Sequence, residues 1–392
     1  MRDDSHILFI SSWYPTPEDP TLGIFNQYFA LAAARYNRVS LLLIRSDQQG
    51  EKAPRLTVGQ TGGLQSVTVN YRKVPKRLPF FSALKRHQRV LAAFDAGWQC
   101  LVKNFGPVDV IQLNVAMPMG IGVLHLHHKY EVPFVLNENW SGYCKEDGNY
   151  KGLVQTYFTK KIVAAASCIL PTSTYLRDAM LSHGLTGNYR VVPNVVNCDI
   201  FRPLETSAHQ GTPLIHISSL NDREKNVSGL IRAFAIAHQK NKTLSLDIVG
   251  EGPDRSLYEA LVKELGLQQA IHFSGRLYSE DLVKHVNAAD ALVMFSHYET
   301  FCLVNIEAFA CGKPVITSSA GGIKTYMRPD LGIMIPPADE EALSAALLRF
   351  AETKTLFDAA KIRAYAVEHY SYEVVGQELT NIYAQAMQHS RD

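Results

Sequence analysis

The chain lacks the features that would mark it as extracellular, membrane-spanning or nucleic-acid-binding. Six cysteines occur in 392 residues and no two stand as Cys-x-x-Cys, so the spacing carries neither a disulfide framework nor a thiolate metal site. Apolar runs are short. Ile162–Ala166 and Cys168–Leu170, broken by Ser167, fall far below the roughly 20 residues of a spanning helix. Arg2, Asp3 and Asp4 stand where a secretory leader would turn apolar, and together with the thiols this predicts a reduced, cytoplasmic protein with peripheral membrane contact at most. Charge of one sign is also missing. Lys and Arg number 39 against 37 Asp and Glu, a net +2, which gives no field able to hold a nucleic-acid backbone. No Asp-x-Asp pair is present to hold a divalent cation. What remains is ordinary globular composition, 46% hydrophobic and 19% charged, in a chain too long for one core.

The organising pattern is strand, loop, helix, repeated. HILFI, VSLLLIR, VDVIQLNV, PFVLNEN, CILPTS and YRVVPNV are short β-branched runs in the first half, with an irregular stretch after VSLLLIR. Helical segments such as IFNQYFALAAARY and GLVQTYFTKKIVAAAS separate them. Apolar runs of this length between helices predict a parallel sheet covered on both faces. Arg202 to Pro213 is polar and turn-forming and reads as a linker. Alternation then restarts with six strands, LIHIS, LSLDIVG, IHFSG, ALVMFS, PVITSS and LGIMIPP. Asp339 is the expected N-cap of EEALSAALLRF. The closing SYEVVGQELTNIYAQAMQ carries an apolar face of Val374, Val375, Leu379, Ile382 and Tyr383. The predicted class is α/β: two doubly wound domains, 1–205 with the C-terminal helix 373–392, and 206–372, facing across a cleft where ligands of such sheets bind.

The most informative segment is HYETFCLVNIEAFACGKPVI. Glu299 follows the strand ALVMFS, and Glu307 comes eight positions later inside the next helix. This arrangement puts the backbone amides of Phe301, Cys302 and Leu303 at a helix N-terminus, where aligned peptide dipoles suit a diphosphate. Glu307 could then accept hydrogen bonds from a ribose diol, and Glu299 would face the sugar side. The spacing alone fits two solvated surface charges, and the apolar residues flanking both argue for burial.

This segment resembles the Glu-x7-Glu signature of retaining nucleotide-sugar glycosyltransferases of the B fold, family 4, and the resemblance runs along nearly the whole chain. The loop from Tyr14 and Pro15 to Gly23 is similar to the family's first glycine-bearing loop under the donor diphosphate. ISSLNDREKNVSGLIRAF resembles the unit that brings a phosphate-binding lysine, here Lys225. IVGEGPD, with Gly250, and FSGRL, with Arg276 and Leu277, resemble loops around the nucleobase. VVPNVVNCDIF and SAGGI also match in order, and the closing helix resembles one that crosses back onto the N-terminal domain. The family's pattern differs here at Ser219, where an arginine is usual and Arg223 is a candidate substitute. It differs too at Asn114 and Asn139, where many relatives carry histidine, at Cys302 in place of glycine, and at Thr325 in place of an acid.

The resemblance implies transfer of a sugar from a UDP- or GDP-linked donor to a hydroxyl of a glycan, lipid-linked glycan or small acceptor. It implies retention, with Lys225 and the helix amides doing the work of a metal and with no other cofactor. Glu299, Lys225 and Asn139 are the expected catalytic residues. A nucleotide-sugar 2-epimerase and a non-catalytic nucleotide-sugar binder are the rival readings. Two further segments stand apart. His125, His127 and His128 lie on one expected helix without a nearby carboxylate ligand set, and packed or exposed histidines account for them. Tyr71 to Arg89 interleaves basic and aromatic residues, which suits an anionic leaflet and equally a solvated loop entering a helix.

Overall fold

The computed structural model of the protein describes residues 5–16, 18–47, 53–72, 79–205 and 209–389. They form two compact units, one of 1–172, 176–193 and 375–392, the other of 173–175 and 194–374.

The first unit is built on a seven-stranded sheet. Its strands are β1 (His6–Ser11), β2 (Arg38–Asp47), β3 (Arg55–Thr61), β4 (Leu64–Arg72), β5 (Val110–Asn114), β6 (Phe134–Glu138) and β7 (Cys168–Pro171). Their order is β3-β4-β2-β1-β5-β6-β7. All neighbours pair parallel except β3 and β4. β1, β5, β6 and β7 are buried at every position, as runs covered on both faces must be.

Three features differ from the sequence reading. The stretch after β2 contains the β3–β4 hairpin, turned by Gly62 and Gly63, both at positive φ, where two glycines satisfy a tight hairpin. YRVVPNV is not a strand. Arg190 and Val192 donate to the carbonyls of Ile169 and Pro171, but Pro193 has no N–H to continue a ladder. The chain passes to the second unit at Asn194. The helix Tyr372–His389 packs on the first unit from Val375 onward, burying Val375, Leu379, Ile382 and Tyr383. Val374 is exposed, so that residue drops out of the expected apolar face.

The second unit holds all six expected strands, all parallel. They are β8 (Thr212–Ile217), β9 (Leu244–Val249), β10 (Ile271–Gly275), β11 (Ala291–Met294), β12 (Val315–Ser318) and β13 (Gly332–Ile335). The order is β10-β9-β8-β11-β12-β13, a doubly wound sheet that reverses direction between β8 and β11. Its core gathers Leu230, Phe234, Tyr258, Phe295 and Phe350 from the helices and the sheet. Asp339 caps the helix Glu340–Thr353, accepting from the Ala342 amide at 2.9 Å.

Candidate active site

In an open parallel sheet the strand order reverses at one point, and the loops leaving the two strands there splay apart. In the second unit that point lies between β8 and β11. The loop after β8 runs into a four-residue helix, Asp222–Lys225, and the loop after β11 leads to the helix Leu303–Ala310. A 2.8 Å bond from the His297 amide to the Glu224 carbonyl joins them. Lys225 Nζ lies 2.7 Å from Glu299 Oε1, which also accepts from Ser296 Oγ at 2.8 Å. Both members of the pair are mostly removed from water, with Glu299 8% exposed. Burial works against the ammonium, but the Glu299 carboxylate outweighs it and holds the Lys225 pKa above the usual lysine range.

Backbone packing fixes both loops. Asp222 anchors the first by accepting from the amide and hydroxyl of Ser228. Gly250, at φ 136°, lies against Ser218, and a Cβ there would sit 1.9 Å from its carbonyl oxygen. Gly321 and Gly322 underlie the second loop, with the Gly322 amide donating to the Glu299 carbonyl at 2.9 Å. Ser173 Oγ donates to the Thr300 carbonyl at 2.6 Å. The glycine pair is therefore required by close backbone approach.

The helix Leu303–Ala310 begins as the sequence indicates, with Cys302 as its N-cap at φ 71°. That left-handed conformation favours glycine, and the buried thiol occupies it. Burial, followed by the nearby Glu299 charge, pushes the Cys302 pKa well up, so it remains a thiol at neutral pH and is no nucleophile. Tyr326 braces the turn, its hydroxyl donating to the Phe301 carbonyl at 2.8 Å and accepting from Asn305 Nδ2 at 2.9 Å. The first amides of the helix have no intrahelical acceptor. Glu307 lies one turn further on and is 5% exposed. Beneath the site, His216 Nδ1 contacts the Val293 carbonyl at 2.8 Å, and Nε2 contacts Ser218 Oγ at 2.8 Å. A carbonyl only accepts, so Nδ1 carries the proton and the ring is neutral. Burial lowers its pKa to about 4.

The sheet edge thus brings Lys225, Glu299, Phe301, Cys302, Leu303 and Glu307 together. Arg223 shares the short helix with Lys225 and is exposed; Gly250 follows β9; Arg276, exposed, and Leu277 follow β10. Gly23 and Asn139 belong to the first unit. Gly23 starts the helix Ile24–Ala33 at φ 63° with its Cα against the Trp13 backbone, a position where a side chain does not fit.

Asn139 follows β6, and the neighbouring Glu138 went unmarked in the sequence. Glu138 is fully buried. Its Oε1 accepts from the amides of Asn139 and Trp140, both at 3.0 Å, and its Oε2 from the Ala116 amide at 3.0 Å and the Tyr143 hydroxyl at 3.1 Å. Burial pushes its pKa up and the donors oppose this. With four donors converging on two oxygens, the ionised form fits. One carboxylate therefore ties the loops after β5 and β6 and sets the backbone of Asn139. Glu138→Gln places an NH2 against two of these donors. It should cost about 1–3 kcal/mol, read as a lowered melting temperature, and Glu138→Ala should cost more. An unchanged melting temperature in both would refute this role.

The three histidines on the helix Gly120–Tyr130 take separate partners. His125 contacts Asp95 at 3.0 Å, and His127 and His128 contact the carbonyls of Val132 and Leu124. Among the described residues no group of three or more His, Cys, Asp or Glu is placed to hold a metal ion.

Residues 205–368 match the family model for glycosyl transferases group 1, and residues 29–200 match that for glycosyltransferase family 4. Each match takes in less than half of the chain, the first in its C-terminal part and the second in its N-terminal part. It is 30% identical over 203 residues to the MMP alpha-(1->4)-mannosyltransferase of Mycolicibacterium hassiacum, covering 50% of this chain and 48% of that protein. It is likewise 30% identical over 182 residues to the GDP-mannose-dependent monoacylated alpha-(1-6)-phosphatidylinositol monomannoside mannosyltransferase of Corynebacterium glutamicum, over 44% and 47% of the two chains. The chain thus spans about half the length of these curated relatives. Its fold is that of Anabaena HepE, solved with UDP, with a TM-score of 0.72 at 16% identity over 97% of this chain and 99% of that one.

Proposed function

We propose that this chain is a glycosyltransferase, which moves a sugar, with retention and without a metal, from a UDP- or GDP-linked donor to a hydroxyl of a glycan, lipid-linked glycan or small acceptor. The observation that carries this reading is the buried Lys225–Glu299 pair beside the N-terminus of the helix Leu303–Ala310. The relatives support the donor class, one being named GDP-mannose-dependent and one fold neighbour being held with UDP.

Cleavage of the sugar C1–oxygen bond leaves growing negative charge on the diphosphate. Lys225 and the helix amides stabilise that charge where it develops, in a setting of low dielectric. Glu299 orients the sugar. Its Oε1 is already engaged by Lys225 and Ser296, which fits a positioning carboxylate better than a covalent nucleophile. The acceptor oxygen then bonds C1 on the face the phosphate leaves, and its proton passes to a phosphate oxygen. Glu307 accepts from the ribose diol, and Asn139 serves the acceptor side with donor and acceptor groups that do not titrate.

Titration calorimetry with UDP, GDP and their sugars tests the donor assignment. One base should bind, Glu307→Ala should weaken it about tenfold or more, and chelator should leave transfer unchanged. Failure of every nucleotide to bind would overturn the reading. Epimerised donor formed without acceptor would assign the site to an epimerase, and binding with no product to a sensor.

A further inference from the structure

The helix Leu153–Ala165 turns Thr159, Ile162 and Val163 inward and presents an unusual outer face. Leu153 is 91% exposed, Val154 68% and Tyr157 58%. These are the first turn and the next position on the same stripe, so the apolar groups stand together and project into solvent. Lys151, Lys160 and Lys161 are exposed around them, with Lys161 Nζ 5.9 Å from the centre of the Tyr157 ring. The helix contains no acidic residue. In the segment leading to it, exposed Lys145 and Glu146 offset one another, and Asp147 is buried against Ser141 and Asn149. The patch is therefore apolar at its centre and cationic at its rim.

We propose that this patch is a docking surface for an anionic lipid bilayer, with Leu153, Val154 and Tyr157 entering the headgroup boundary and the three lysines pairing with lipid phosphates. The pattern is that of an interfacial helix. Charge complementarity selects the partner. A second copy of this chain, meeting the patch through a two-fold axis, would set lysine against lysine, whereas an anionic leaflet satisfies both centre and rim. The helix starts on the side where β6 ends, the same side of the first sheet as Asn139. Docking there presents the acceptor edge to lipid-borne hydroxyls, a consequence that rests on the glycosyltransferase reading. The docking itself does not.

The basic segment Tyr71–Arg89 does not carry this argument, because residues 73–78 and the side chains of 79–84 lie outside the described residues.

Co-sedimentation of the full chain with vesicles of phosphatidylglycerol and phosphatidylcholine in roughly equal parts, against pure phosphatidylcholine, tests the proposal. Binding to the anionic vesicles should exceed binding to the neutral ones, and should fall at high salt. The Leu153→Ser/Val154→Ser/Tyr157→Ser and Lys151→Glu/Lys160→Glu/Lys161→Glu variants should each lose about tenfold or more in vesicle affinity. Both sets change surface side chains, and near-native circular dichroism is the control. No binding to anionic vesicles, or both variants sedimenting like the parent, overturns the proposal. So does a wild-type dimer in solution that the variants dissociate, since it gives the patch to a second copy. UDP and GDP binding, measured in parallel, bears on the function reading alone.

Discussion

Lys225→Ala is expected to reduce sugar transfer by about 10²–10³-fold, the cost of removing one donor aimed at developing oxyanion charge. It should also destabilise the second unit by about 3–5 kcal/mol, because Glu299 would be left mostly buried with its cation gone. The pH dependence separates the two effects. In the parent, Lys225 has its pKa raised by Glu299. The stability it contributes is fully present below the unfolded lysine value and is lost only as pH rises through the folded one, so it is constant near neutrality. The variant's stability deficit should therefore stay constant across the neutral range. Thermal unfolding from about pH 6 to 8 reads this, and steady-state transfer at neutral pH reads catalysis. A companion, Lys225→Met with Glu299→Gln, should regain much of the stability and none of the activity. Transfer within about threefold of the parent in Lys225→Ala would remove the lysine from the mechanism.

Gly322→Ala should be nearly as damaging without touching a charged group. A Cβ at 322 would lie 1.9 Å from the Thr300 carbonyl oxygen and 2.9 Å from Ser173 Oγ, and the first contact is backbone that must move. Overpacking of this kind costs about 1–3 kcal/mol. The displaced segment carries Glu299, so nucleotide affinity should drop about tenfold along with the melting temperature. Gly59→Ala is the matched control, because a Cβ there meets nothing within 4 Å. Equal behaviour of the two variants would show that the glycine pair does not position the loop.

The second unit was nearly all legible in the sequence because its strands are buried, short and regularly spaced. The six runs from LIHIS to LGIMIPP became six strands, and Asp339 became a cap, since local chemistry and global packing agree there. The first unit was less legible. β3 is exposed along its length, so its alternation of Thr, Val and Gln carried no apolar contrast, and only the Gly62–Gly63 pair signalled the turn. YRVVPNV has a strand's composition, but its proline and one-sided bonding make it a strap beside β7. At the site, Glu299, Glu307 and the start of the helix after Cys302 were legible from the apolar residues that flank them, since their spacing alone fits two solvated surface charges. The ion pair between Lys225 and Glu299 was not, because its members are 74 positions apart and meet only through the strand order. Glu138 was hidden for a related reason. An acid ending a buried strand looks like a solvated charge until the amides of two separate loops are seen to converge on it.

The closing helix has a consequence for the order of synthesis. Gly376 packs on the Ala32 carbonyl, Asn37 Nδ2 bonds Thr380 Oγ1 across 343 positions, and the Tyr383 hydroxyl bonds Gln112. On a ribosome, the nascent first sheet must wait with that helix-binding face open to water until residues 375–389 have been made. Residues 194–374 have no such wait and can settle first.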